Sequence, residues 1–217
     1  MPQYKEFKKQ FEKTVLKLKR NIEEIELVAV SKRKPEASIL SVIQLGHSSF
    51  GENQLQEIDK KWPTIKKQFQ NIRLHFVGAI QSRKIVNILN QCDVIHSIDR
   101  EKVIKIIAQM GREKLLKKQF FIQVNTGNET QKSGVKLEEA EKFIDLCRNN
   151  YNLSIDGLMC IPPENEKPDS HFQILQDLAI NNNIKYLSMG MSNDYESALK
   201  YGATHIRIGT AIFGSRN

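Results

Sequence analysis

Lys32, Ser192, Arg207, Gly209 and Thr210 are the residues whose types and settings could do chemistry. Lys32 follows the apolar run Leu27-Val28-Ala29-Val30, whose β-branched content suits a buried strand. Pro35 then stops that strand and can open a helix. A lysine at the carboxyl end of a buried strand stands in a half-apolar setting, which favours neutral amine able to attack a carbonyl. Near the other end, Ser192 falls where a helix N-cap would stand, just after the strand-like Tyr186-Leu187-Ser188-Met189. A helix N-terminus offers unpaired N–H groups and a positive dipole end, which suits a phosphate. His205-Ile206-Arg207-Ile208 runs into Gly209-Thr210, a second place where backbone can approach an anion closely. Arg207 alternates with two isoleucines and so shares a face with His205; unpaired burial of a guanidinium is very costly. Two roles stand open for it: a structural ion pair, or a donor aimed at a bound ring nitrogen or carboxylate. Alone, each signal is weak, because strand-end lysines are usually solvated charges, and Ser or Gly-Thr usually only caps and turns.

The elements that must position these residues alternate strand and helix along the chain. The pattern predicts strands at 26–31, 48–50, 72–77, 94–98, 120–125, 153–159, 186–189 and 205–208. Helices are expected at 35–45, after Gly51-Glu52-Asn53 through 67, at 82–90, 100–117, through 147, and at 168–180, with brief ones at 193–200 and 211–213. An amphipathic helix precedes them, with Phe7, Phe11, Val15 and Leu18 at helical spacing and lysines on its wet face. Eight strands separated by helices in about 200 residues predict an α/β fold, a (β/α)8 barrel with an extra N-terminal helix. No linker or composition break divides the chain, so one domain over 1–217 is expected. In such barrels function gathers at the carboxyl ends of the strands, with phosphates held by the loops after strands seven and eight. The distinctive residues obey that rule: Lys32, Glu52 and Asn53, Gln81, Asn125 and Lys132, Met159, Ser192, Arg207 and Thr210.

At 217 residues with 40% hydrophobic and 27% charged residues, the chain has the composition of a soluble globular protein. Cys92, Cys147 and Cys160 form no CxxC pair, so free thiols are expected rather than disulfides or a metal site. No apolar run is long enough to span a membrane and no apolar leader opens the chain, so a cytoplasmic location is expected. The net charge of +8 could attract nucleic acid, but no recognition module accompanies it. The first and last loops of a closed barrel are neighbours, so Lys32 and the Ser192/Gly209 seat can share one small ligand. Pyridoxal 5′-phosphate (PLP) fits: an aldehyde for the lysine, a phosphate for the loops, a ring nitrogen for Arg207.

The stretches VAVSKRKP, FGENQLQE, HFVGAIQSRK, QVNTGNETQKSG, GLMCIPP and GMSNDYESAL followed by GATHIRIGTAIFG resemble the pyridoxal phosphate homeostasis proteins, over nearly the whole chain and in order. The resemblance implies a barrel like the first domain of alanine racemase, without that enzyme's second β-domain. It implies that Lys32 forms the internal aldimine; that Ser192, backbone near Gly190 and Met191, and Gly209 and Thr210 hold the phosphate; that Arg207 faces the pyridine nitrogen; and that Asn53 and Met159 lie along the cofactor's edge and face. Gln54 stands where the family often has Tyr, and Arg83 where it often has Asn; both concern the rim. Racemization needs a second base on the opposite ring face, and an arginine at the ring nitrogen weakens the electron sink. The expectation is therefore a PLP carrier serving vitamin B6 homeostasis, monomeric, with PLP-dependent apo-enzymes as partners. A weakly active racemase-like enzyme is the alternative, and Lys132 the second-choice lysine.

Overall fold

The computed structural model describes residues 2–215; Met1, Asn217 and Arg216, the last residue of the C-terminal motif, lie outside them. The strands are β1 (Glu26–Val30), β2 (Ser49–Glu52), β3 (Arg73–Phe76), β4 (Val94–Ile98), β5 (Gln119–Asn125), β6 (Val135–Lys136), β7 (Gly157–Met159), β8 (Tyr186–Ser188) and β9 (His205–Ile208). Every pairing is parallel, and β1 bonds both β2 and β9 while β4 bonds β5, so eight strands close on themselves. The two-residue β6, unforeseen in the sequence, hangs on the end of β5. The helices are α1 (Pro2–Lys17), α2 (Glu36–Ile43), α3 (Leu55–Gln68), α4 (Ile85–Gln91), α5 (Glu101–Ala108), α6 (Arg112–Leu115), α7 (Ala140–Asp145), α8 (Pro168–Asn181), α9 (Tyr195–Lys200) and α10 (Thr210–Phe213). Among the described residues no helix is long and apolar enough to cross a membrane.

Strand alternation divides the core in two. Ala29, Phe50, Leu74, Ile95, Phe120, Ile122, Leu158 and Ile206 face outward and pack with Ile39, Trp62, Ile104 and Phe172 from the helices. Each buried Leu, Ile or Phe among them contributes roughly 1.5–3 kcal/mol by leaving water. The inward face is mixed: Val94, Phe121 and Met159 form a small apolar cluster, beside buried Ser49, His75, His96, Ser188, His205 and Arg207. Tyr4, Phe7, Phe11 and Val15 of α1 are buried, with Phe7 and Phe11 against Tyr195.

Three elements differ from the sequence pattern for local reasons. The helix expected over 100–117 is broken at Gly111, whose φ of 79° ends one helix before α6 begins. The strand expected over 153–159 shrinks to β7, because the Leu153 N–H turns back to the Cys147 carbonyl (2.9 Å) instead of entering the sheet. The helix expected through 147 ends at Asp145 and continues as a wider π turn over Leu146–Asn150. The three cysteines are buried free thiols, and burial pushes each up to about 12.

Candidate functional site

The carboxyl ends of the strands gather most of the singled-out residues around one mouth. Lys32 lies two residues beyond the end of β1, directly after Ser31, and is half-buried. The backbone around it is held on several sides. Ser31 extends the ladder by donating its N–H to the Gly51 carbonyl (2.9 Å), and its Oγ donates to Glu52 Oε1 (2.7 Å). Lys61 of α3 donates to the Ser31 carbonyl (3.1 Å) and pairs with Glu52 (2.6 Å) and Glu57 (2.8 Å). The Arg33 N–H donates to Glu57 (2.6 Å) from a left-handed φ of 58°. Lys34 Nζ reaches the carbonyls of Gly214 (3.2 Å) and Ser215 (2.9 Å), tying this loop to the C-terminal turn.

Glu52 is therefore not a mouth residue. It shares the outward face of β2 with Phe50, and Trp62 Nε1 donates to it at 3.2 Å. Burial raises its carboxyl while Lys61 and Ser31 oppose that rise. Glu52 anchors the strand end instead of facing a ligand. Asn53, the next residue, lies just beyond the strand end and is half-buried. A β-carbon on Gly78 would lie 2.1 Å from the Asn53 carbonyl oxygen, so glycine lets the loops after β2 and β3 touch.

On the other side of the mouth, Gly190 holds φ 94°, and a β-carbon there would meet that of Ala198 at 2.6 Å. Its carbonyl accepts the Arg207 N–H (3.0 Å), which docks the 190–192 loop on β9. Ser192 is not the N-cap of α9: Asp194 occupies that position, and its Oδ1 accepts the Met191 N–H at 2.5 Å. A turn over 192–194 places the cap two positions beyond Ser192, with Asn193 between them. Ser192 is left half-buried on the loop beside Arg207, and Met191 is exposed. Gly209 packs against β1, where an added β-carbon would meet the Val30 carbonyl at 3.4 Å, and exposed Thr210 opens α10. Lys132 lies apart, paired with Glu129 (2.6 Å) and bonded to the Pro162 carbonyl (3.2 Å) as a tie between two loops. Asn125 braces that loop through Glu129, donating to its carbonyl (2.8 Å) and accepting its N–H (3.2 Å). Gln81 stands at the rim with Asn53, Gln54 and Lys84 around a cavity of about 190 Å³.

Arg207 is 5% exposed, and among the described residues no carboxylate pairs with it. Nη1 donates to Ser188 Oγ (2.6 Å) and Nη2 to the Cys160 carbonyl (3.0 Å), at the carboxyl ends of β8 and β7. The structural ion pair open at the sequence level is thus not what holds it. Burial lowers the affinity of the guanidinium for its proton, and an acceptor ligand would offset that cost. The sequence reading passed over the residues behind it, Ser188, His96, His75 and Glu26. Their inward parity on four strands was the available sign. Together these donors suit an aldehyde-bearing anion with an acceptor nitrogen, and the residues present fit PLP.

The family described as the alanine racemase N-terminal domain matches residues 8–217. The pyridoxal phosphate homeostasis protein of Vibrio alginolyticus is 38% identical over 208 residues, covering 91% of this chain and 89% of the relative. The chain belongs to the pyridoxal phosphate homeostasis protein family. A second family member, from Escherichia coli K12, is 34% identical over 207 residues, covering 91% and 88%. PipY of Synechococcus elongatus, solved with PLP bound, is 27% identical with a TM-score of 0.76, covering 93% of this chain and 99% of its own. Alanine racemase of Corynebacterium glutamicum shares the fold alone, at 15% identity and a TM-score of 0.68; the match covers 89% of this family member and 56% of the racemase.

Proposed function

We propose that this protein holds PLP at the carboxyl mouth of its barrel and serves intracellular vitamin B6 homeostasis without turning over a substrate. PLP supplies an aldehyde reactive toward amines and a ring that can act as an electron sink. Lys32 Nζ holds the aldehyde carbon covalently. Ser192, the backbone at Gly190 and Met191, and Gly209 with Thr210 bind the phosphate. Asn53 and Met159 lie along the ring's edge and face. Arg207 donates to the pyridine nitrogen and keeps it unprotonated, which holds the sink weak. PLP-dependent apo-enzymes are the recipients of the cofactor, and the chain works as one domain.

The observation that carries this reading is Arg207, a buried donor-only group with neutral hydrogen-bond partners and, among the described residues, no ion-paired carboxylate. The family name of its relatives and the PLP-bound state of PipY support it. The test is an absorption spectrum of the purified protein with PLP, before and after borohydride reduction, followed by peptide mapping. The pyridoxyl group is expected on Lys32, and Lys32→Ala should lose the band while remaining folded. Mapping to Lys34 or Lys132 would refute the assignment. Exchange of an amino acid's α-proton for solvent deuterium at enzymatic rates would favour the racemase-like alternative.

A further inference from the structure

Across the barrel interior, polar side chains connect Arg207 at the carboxyl mouth to Glu26 at the amino end of β1. Arg207 Nη1 lies 2.6 Å from Ser188 Oγ, which lies 2.7 Å from His96 Nδ1. His96 Nε2 lies 2.9 Å from His75 Nδ1, and His75 Nε2 lies 3.0 Å from Glu26 Oε1. Ser188, His96 and His75 are fully buried.

The chemistry of the two ends sets the direction of every bond between them. A guanidinium only donates, so Ser188 Oγ accepts from Arg207. The bonds found to Ser188 Oγ are those with Arg207 and His96, so its own proton goes to His96 Nδ1. His96 must then carry its proton on Nε2 and donate it to His75 Nδ1. His75 in turn carries its proton on Nε2. Counting from the opposite end gives the same answer, because an ionised carboxylate only accepts and His75 Nε2 must donate to it. Ser49 Oγ fits the scheme, donating to Glu26 (2.8 Å) while 3.0 Å from the same His75 N–H. Glu26 also meets His205 Nε2 at 3.1 Å and Arg73 Nε at 3.6 Å. Burial alone would raise its carboxyl, but the His205 and His75 contacts hold it well below the usual range. Burial likewise keeps His96 neutral.

We propose that Glu26 is the remote counter-ion and a positioning residue of Arg207, acting through a one-way hydrogen-bond chain of Ser188, His96 and His75. A carboxylate directly on Arg207 would compete with a ligand for its N–H groups. A neutral hydroxyl, polarised from behind by the chain that ends on Glu26, holds the guanidinium and leaves it able to donate to a ligand. Arginine has five N–H donors, and the Ser188 and Cys160 bonds take two of them. The others remain for an acceptor at the mouth. The consequence for PLP rests on the function proposed above; the chain itself does not.

Two experiments decide it. Long-range proton–nitrogen NMR correlations on histidine-labelled, PLP-free protein at neutral pH should show both His75 and His96 neutral with the proton on Nε2. An Nδ1–H form or an imidazolium at either residue would overturn the chain, whatever the protein binds. In PLP-loaded protein, Glu26→Gln should weaken PLP on the order of tenfold and move the absorption maximum, and both effects should vanish in an Arg207→Met background. Equal effects of Glu26→Gln with and without Arg207 would show that Glu26 does not act through it. Absence of any PLP band in wild type would refute the proposed cofactor while leaving the NMR result to judge the chain.

Discussion

His47 gives a measurable handle on how burial couples this fold to pH. Its ring lies between Tyr4 and Phe50, with centroids at 5.4 and 5.2 Å, and Nε2 donates to the Ser49 carbonyl at 2.7 Å. Burial, more than the Ser49 bond opposing it, lowers its pKa to about 4 from 6.5. In the unfolded chain the same ring takes up a proton near 6.5, so below that pH the unfolded state binds more protons. Stability therefore holds above 6.5 and falls as pH drops toward 4. Between pH 7 and 5.5 this one residue should cost about 1.2 kcal/mol of stability. His96 acts with the same sign, whereas Glu52, Asp99 and Asp156, raised by burial, act against it. The decisive quantity is therefore the difference between wild type and His47→Gln, read from urea midpoints at the two pH values. The variant should lose about 1.2 kcal/mol less over that interval. Parallel pH dependences would refute the argument that His47 is held neutral by burial.

Other substitutions test separate parts of the site. Ser192→Ala should weaken PLP by roughly 1.5–3 kcal/mol, one to two decades, and leave unphosphorylated pyridoxal almost unchanged; titration by absorbance distinguishes a phosphate contact from a general loss. Lys61→Met leaves Glu52 buried without its cation and should cost about 3–5 kcal/mol in chemical denaturation, with part recovered on adding Glu52→Gln. Gly190→Ala forces a side chain into left-handed backbone against Ala198 and should cost about 1–3 kcal/mol or more, seen as a lowered thermal midpoint.

The strand and helix alternation and the barrel it implies were legible from residue pattern, and the same pattern gave the expectation that Lys32, Asn53, Met159, Arg207 and Gly209 lie near one mouth. That is because strands covered by helices must be apolar on their outward face, and in such barrels function gathers at the carboxyl ends of the strands. Boundaries were less legible where a single backbone bond decides them. Nothing in the sequence shows that Leu153 N–H turns back to Cys147, or that a turn displaces Ser192 from the cap that Asp194 takes. Glu52 stands in the same motif as Asn53 yet turns to Lys61 and Trp62 behind the strand, a placement that depends on strand register and not on residue type. The interior chain from Arg207 to Glu26 was least legible of all. Its members come from five strands spread between residues 26 and 207, and only closure of the barrel brings them within hydrogen-bond distance. Sequence alone determined where the buried strands run and that polar residues interrupt them. Tertiary structure decided which group each one faces, and hence which can donate, because that depends on neighbours distant along the chain.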